Sequence, residues 1–241
     1  MMITASEPGR AQRSRRPQSG PPLLMPVLAY AALTVAYVVL NRSTPHPDAS
    51  GAEVLRYAQG HATTVKVGAF LLFSSAVPLA ITAAVLYRRL RALGITAPGS
   101  AITLVGGILA SAALTLSGIF CWTGGRLPDD APPVLARALA DLAFLTGGPA
   151  FAVAFGLLAA GISVTGLLAR LLPRTLTWTG LVIAAAGALS TLTLLGSGFG
   201  YLLPVVRFGG TIWLVFAAAA MPLTRTARRT GAAPAADAAT S

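Results

Sequence analysis

Apolar residues in this chain gather into six long blocks, 23–40, 67–87, 101–122, 143–169, 176–198 and 202–223, separated by short polar or basic stretches. Each block is apolar all round, with neither the alternation of a lipid-facing strand nor the polar stripe of a surface helix. A helix of about 20 residues crosses the roughly 30 Å of hydrocarbon in a bilayer. Backbone groups in lipid must be bonded within their own segment, so the pattern predicts an all-α fold, a polytopic transmembrane helical bundle of about six spans. The fourth block has two readings. Apolar character begins near Val134 and Pro149 interrupts it, so either one long kinked helix forms or an external interfacial helix over 134–149 leads into a span from Ala150.

The ends read differently. Residues 1–22 are rich in Arg, Pro, Ser and Gly and predict a disordered basic tail, and 224–241 a second disordered tail. The run 23–40 is long for a signal peptide and has no small-x-small cleavage site before Asn41, so it is expected to remain as the first helix. Ser14-Arg15-Arg16 does not make an export signal, because Pro17-Gln18-Ser19 follows where the chain would have to turn apolar.

Orientation follows from the cations. Twelve of the 18 Lys and Arg residues fall on one side of a six-span topology: the tail, Arg88, Arg89 and Arg91, Arg170 and Arg174, and Arg225, Arg228 and Arg229. The positive-inside rule then puts both termini in the cytoplasm of a multi-pass cell-membrane protein. Tyr87 and Trp178 near the inner interface, and Trp122 and Tyr201 near the outer one, agree. Small residues spaced one turn apart, Gly107 with Ser111 and Gly156 with Ala160, mark close helix approach. A period of 80 residues relates Val54-Leu55 to Val134-Leu135 and Ser117-Gly118 to Ser197-Gly198. Each unit would hold an external helix, a span in, an Arg-bearing turn and a span out, a duplication of the kind known in transporters.

Composition narrows the function. With 55% hydrophobic and 10% charged residues, and a mean hydropathy of +0.72, the chain cannot make a water-soluble surface. The net charge of +11 lies in clusters between spans, without the aromatic-studded basic face that reads bases, so nucleic acid is not an expected partner. The expected partners are the lipid bilayer and a membrane-protein partner or a second copy. The single cysteine, Cys121, leaves no intramolecular disulfide or cysteine-based zinc site. Both histidines, His46 and His61, precede the second span, and no HExxH, P-loop or paired acidic cluster is present. Catalytic residues, metal sites and cofactors are therefore none, and the chain does not read as an enzyme.

Charge at membrane depth is costly and marks candidate sites. His61, Lys66, Arg137, Asp141 and Arg207 form a candidate outer polar cluster. Asp141 has three prospective partners: Arg137 one turn earlier, Lys66, or Arg207 beside Pro204. Hydroxyls at Ser74, Ser75, Thr82, Ser117, Ser163, Thr191 and Thr193 could line a polar path, or simply bond to their own helices. Taken whole, the basic tail, the Ala/Leu/Gly-rich spans and the cytoplasmic turn Leu86-Tyr87-Arg88-Arg89-Leu90-Arg91 resemble the uncharacterised small multi-span membrane proteins of high-GC Gram-positive bacteria. That resemblance is compositional and implies no activity. Two functions remain. The first is a non-enzymatic subunit or regulator of a membrane assembly, expected to be a tightly filled bundle. The alternative is a small transporter or lipid-binding protein with an outward-facing pocket. An enzyme would return to consideration if a cavity joined Asp141 to His61 or Ser117.

Overall fold

The computed structural model describes residues 22–95 and 98–222; nearly all of the N-terminal tail, and all of the C-terminal one, lie outside the described residues. Among the described residues every regular element is helical. In order they are α1 (Leu24–Leu40), α2 (Gly51–Gly60), α3 (Ala62–Ala92), α4 (Gly99–Gly124), α5 (Pro133–Leu145), α6 (Phe151–Leu168), α7 (Arg174–Leu189), α8 (Leu202–Pro204) and α9 (Gly210–Ala220).

Among the described residues five helical runs are long and apolar enough to cross a membrane: Ala62–Ala92, Gly99–Gly124, Pro133–Leu168, Arg174–Leu194 and Gly198–Ala220. Helix α1 is apolar but only 17 residues long. The chain is thus an all-α, multi-pass membrane bundle, with run ends up to five residues from the predicted block ends except at Pro133, ten residues before the fourth block. Large apolar side chains point outward along these helices, as Phe70, Phe73, Val77 and Ile81 do on one face of α3. So wide an exposed apolar surface suits lipid and not water.

The fourth block resolves into one continuous helical run, 133–168, with its irregularity at the proline. Pro149 has no N–H, and its ring would clash with the carbonyl four residues back in an α-helix. The backbone widens instead into a π-helical turn over Thr146–Ala150. A second π turn, Val205–Gly209, follows Pro204 in the last run. Such turns are rare and concentrate at functional sites.

Helices α3, α4, α6 and α7 pack serially, α1 lies against α3 and α9, and α9 returns to α7. Glycines set the approach. Gly106 of α4 faces the Ala154–Leu158 backbone of α6, Gly107 faces Ala83 of α3, and Gly156 meets Gly187 across the α6–α7 contact. Without a hydrophobic drive between helices in lipid, this close packing is what holds the bundle together.

The element order repeats, though not at a fixed spacing of 80 residues: α2, α3 and α4 are followed by α5, α6 and α7, again a short helix and two long ones. The ends of α3 and α6 also match. In each, an N–H reaches back five residues, Ile95 to the Leu90 carbonyl and Leu171 to the Gly166 carbonyl. The residue before it takes positive φ, Gly94 at 80° and Arg170 at 52°. Both are Schellman ends, and a proline, Pro98 or Pro173, caps the next helix. Helices α2 and α5 pack on each other at the same end of the bundle.

Candidate functional site

Helices α2 and α5 cover the end of the bundle opposite the two Schellman turns, and beneath them lies a cavity of ≈ 390 Å³. The exposed part of its lining is Thr44, His46 and Pro47 of the loop before α2, and Pro204 and Phe208 of the last run. Val54, Tyr57 and Ala58 of α2, and Ala136, Leu139, Ala140, Asp141 and Phe144 of α5, form one side. Ser117, Phe120 and Cys121 of α4 form another, and the floor holds Tyr37, Gly147, Phe151 and Arg207. The volume lies within the roughly 300–1,000 Å³ of small-molecule sites, and the mainly apolar wall with a few polar groups is also typical of them.

The floor is built by the two π turns. In an α-helix the Gly147 carbonyl would accept the Phe151 N–H. Here the Phe151 N–H points to the Thr146 and Gly148 carbonyls, and Gly147 O accepts from Arg207 Nη2 at 2.6 Å. Arg207 belongs to the other π turn, where the Gly210 N–H reaches the Val205 carbonyl five residues back. The Thr211 hydroxyl donates to the Arg207 carbonyl at 2.6 Å. The guanidinium carbon lies 5.2 Å from the Phe151 ring centre and 5.9 Å from that of Tyr37. Cation–π attraction on this scale contributes about 0.5–2 kcal/mol, more when desolvated. Arg207 thereby ties α1, the α5–α6 run and α9 together.

The glycine at 147 is required by space. A Cβ there would stand 2.4 Å from the Ser117 hydroxyl, which donates to the Ala143 carbonyl at 2.8 Å.

The predicted outer cluster divides. Asp141 pairs with Arg137: Nε–H to Oδ2 at 3.1 Å and Nη2 to Oδ1 at 3.0 Å, a two-point contact one turn apart. Arg137 also donates to the Ala49 carbonyl, fastening α5 to the loop before α2. Neither Lys66 nor Arg207 forms an ion pair with Asp141. Asp141 and Arg207 line the same cavity, whereas Lys66 is exposed on α3 with its stem beside Gly125. His61 stacks on Tyr57 at 4.6 Å and borders a shallow groove between α1 and α3.

Three of the candidate hydroxyls bond within their own helices: Ser75, Thr82 and Thr191 donate to the carbonyls of Leu72, Pro78 and Ala188. Ser163 is fully buried against Gly180 near the Trp213 ring, its hydroxyl without a hydrogen-bond partner.

Several lining residues were not singled out from sequence, among them Tyr37, Phe144, Gly147 and Phe151. The available signal was Gly147-Gly148-Pro149, a flexible and helix-perturbing triplet inside an apolar block.

Fold and cavity define a class: a multi-pass helical membrane protein with an apolar cavity, covered by two short helices and floored by an arginine. No protein family, curated protein or solved structure matches the chain.

Proposed function

We propose that this is a non-enzymatic binding protein for a small amphiphilic molecule, taken into the cavity from the outer leaflet side. The carrying observation is the ≈ 390 Å³ cavity with Arg207 at its floor, since a purely structural subunit would be a filled bundle. In the six-span orientation, with α1 as the first span and both termini cytoplasmic, the cavity-lining loop at residues 44–47 faces out. The cavity does join Asp141 to Ser117, the arrangement under which catalysis would have to be reconsidered. However, the Ser117 proton is committed to the Ala143 carbonyl and both Asp141 oxygens are held by Arg137. No base is poised on that hydroxyl, so binding is the better-supported reading.

Cys121, the only thiol in the chain, lines the cavity and reports on it directly. In intact cells a small membrane-impermeant thiol reagent is expected to modify Cys121, and Ala140→Phe, which fills the cavity, is expected to slow that reaction. Modification only after the membrane is opened to the cytoplasmic side would refute the outward orientation. Equal rates in the two variants would refute the cavity as the route.

A further inference from the structure

We infer that the cavity's occupant is a single-chain amphiphile with an anionic headgroup, carboxylate or phosphate, and that Arg207 receives that headgroup. This rests on the reading of the cavity as an amphiphile site and adds the charge of the ligand.

The position of Arg207 comes first. It lies near the middle of the apolar run Gly198–Ala220, in a turn whose neighbours are almost all apolar. A cation at such depth is expensive unless paired, and such residues commonly mark ligand or ion sites.

The contacts come next. The ion pairs among the described residues are His46–Asp48 and Arg137–Asp141, and neither includes Arg207. Its protein neighbours are the Gly147 carbonyl, the Tyr37 hydroxyl and the rings of Tyr37 and Phe151, which hold the guanidinium in place but carry no opposing charge. Arginine does not lose its proton in proteins, and its five donors match the oxygens of a carboxylate or phosphate. Asp141 is not that anion: it pairs with Arg137 and forms no ion pair with Arg207.

Size and wall chemistry decide the rest of the ligand. An apolar cavity of about 150 Å³ takes one benzene. A volume of ≈ 390 Å³ therefore takes a chain of moderate length with its headgroup, and is too small for a whole two-chain lipid. The cavity's walls include Phe144, Phe151, Leu203 and Phe208, which suit an alkyl chain.

The test uses the full chain in phosphatidylcholine nanodiscs, reading the rate of Cys121 alkylation while decanoate, decyl phosphate or decanol is added to equal mole fractions in the bilayer. Decanoate and decyl phosphate are expected to slow alkylation about tenfold more than decanol, the effect of one charge-assisted hydrogen-bonded contact. In Arg207→Gln, with each rate compared to that variant's own rate without amphiphile, the advantage of the anions is expected to vanish. Arg207→Lys is expected to retain part of it, which a failure to fold would not produce. Equal protection by decanol and decanoate in the native chain would overturn the charge inference and leave the amphiphile reading standing. Protection by none of the three would overturn both. Protection by acetate or inorganic phosphate alone, as strong as by the decyl anions, would make the ligand a small free anion and overturn the amphiphile.

Discussion

Gly106→Val is expected to yield no monodisperse folded protein after purification in mild detergent, and Gly106→Ala to lower stability by about 3 kcal/mol, the upper end of ordinary overpacking costs. A Cβ at this position would stand 2.3 Å from the Leu158 nitrogen, 2.8 Å from the Ala154 oxygen and 2.9 Å from the Leu157 carbonyl carbon. All three are backbone atoms, so no rotamer change relieves the clash and α4 must move away from α6. Gly161 compounds the problem, since its own missing Cβ faces the Thr103 nitrogen and the Gly99 oxygen on the same interface. Separating the two helices would open a large part of the central contact in a bundle whose cohesion is close packing. Gly124 supplies the control. A Cβ there meets nothing within 4 Å, and Gly124→Ala is expected to change stability by less than about 0.5 kcal/mol. Unfolding midpoints in a denaturing-detergent titration measure both. Similar values for Gly106→Ala and Gly124→Ala would mean that α4 and α6 do not approach as described.

Trp213→Ala is expected to cost about 3–5 kcal/mol in the same titration. The ring is buried in α9, packed where Gly180 of α7 has no side chain, and its indole N–H donates to the Leu176 carbonyl at 2.8 Å. Lipid outside is as apolar as the site, so the loss comes from vacated contacts and the broken hydrogen bond rather than from water. Trp213→Phe, which keeps most of the ring and removes the donor, is expected to cost only about 1 kcal/mol. An equal loss for both substitutions would assign the effect to the hydrogen bond instead of the packing.

Most of the fold was legible because lipid imposes one simple condition on the backbone. Runs such as Ala101 to Trp122 can be satisfied in hydrocarbon only as helices, and α4 extends that block by two residues at each end. The fate of the fourth block was not legible. Pro149 permits a break, a kink or a widened turn, and which forms depends on what donates to the displaced carbonyls. Here Arg207 does, from 60 residues away. By sequence Arg207 stands only five residues into the apolar block that begins at Leu202. Two 3-10 turns, Ser190–Leu194 and Ser197–Tyr201, carry the chain through the preceding bend, and the last apolar run starts at Gly198.

The candidate cluster was legible only in part, and for a similar reason. Arg137 and Asp141 are four apart in one helix, so their pairing is local and follows from sequence. Lys66 and Asp141 share a predicted depth but not a neighbourhood, and depth is all that hydropathy reports. The cavity arises where α1, α2, α4, α5 and the two π turns meet, and blocks built from Ala, Leu and Gly do not announce which faces will touch. Tyr37 is an example: one residue among many in the first apolar block, it becomes part of the floor of the site through the approach of α1 to α9.

The most direct test of a cavity that binds an amphiphile is the native mass spectrum of the purified chain, released gently from a neutral detergent. A single small amphiphile is expected to remain bound to the native protein and to be absent from Ala140→Phe. A bare native chain, or one whose adducts are the same in both variants, would contradict the claim.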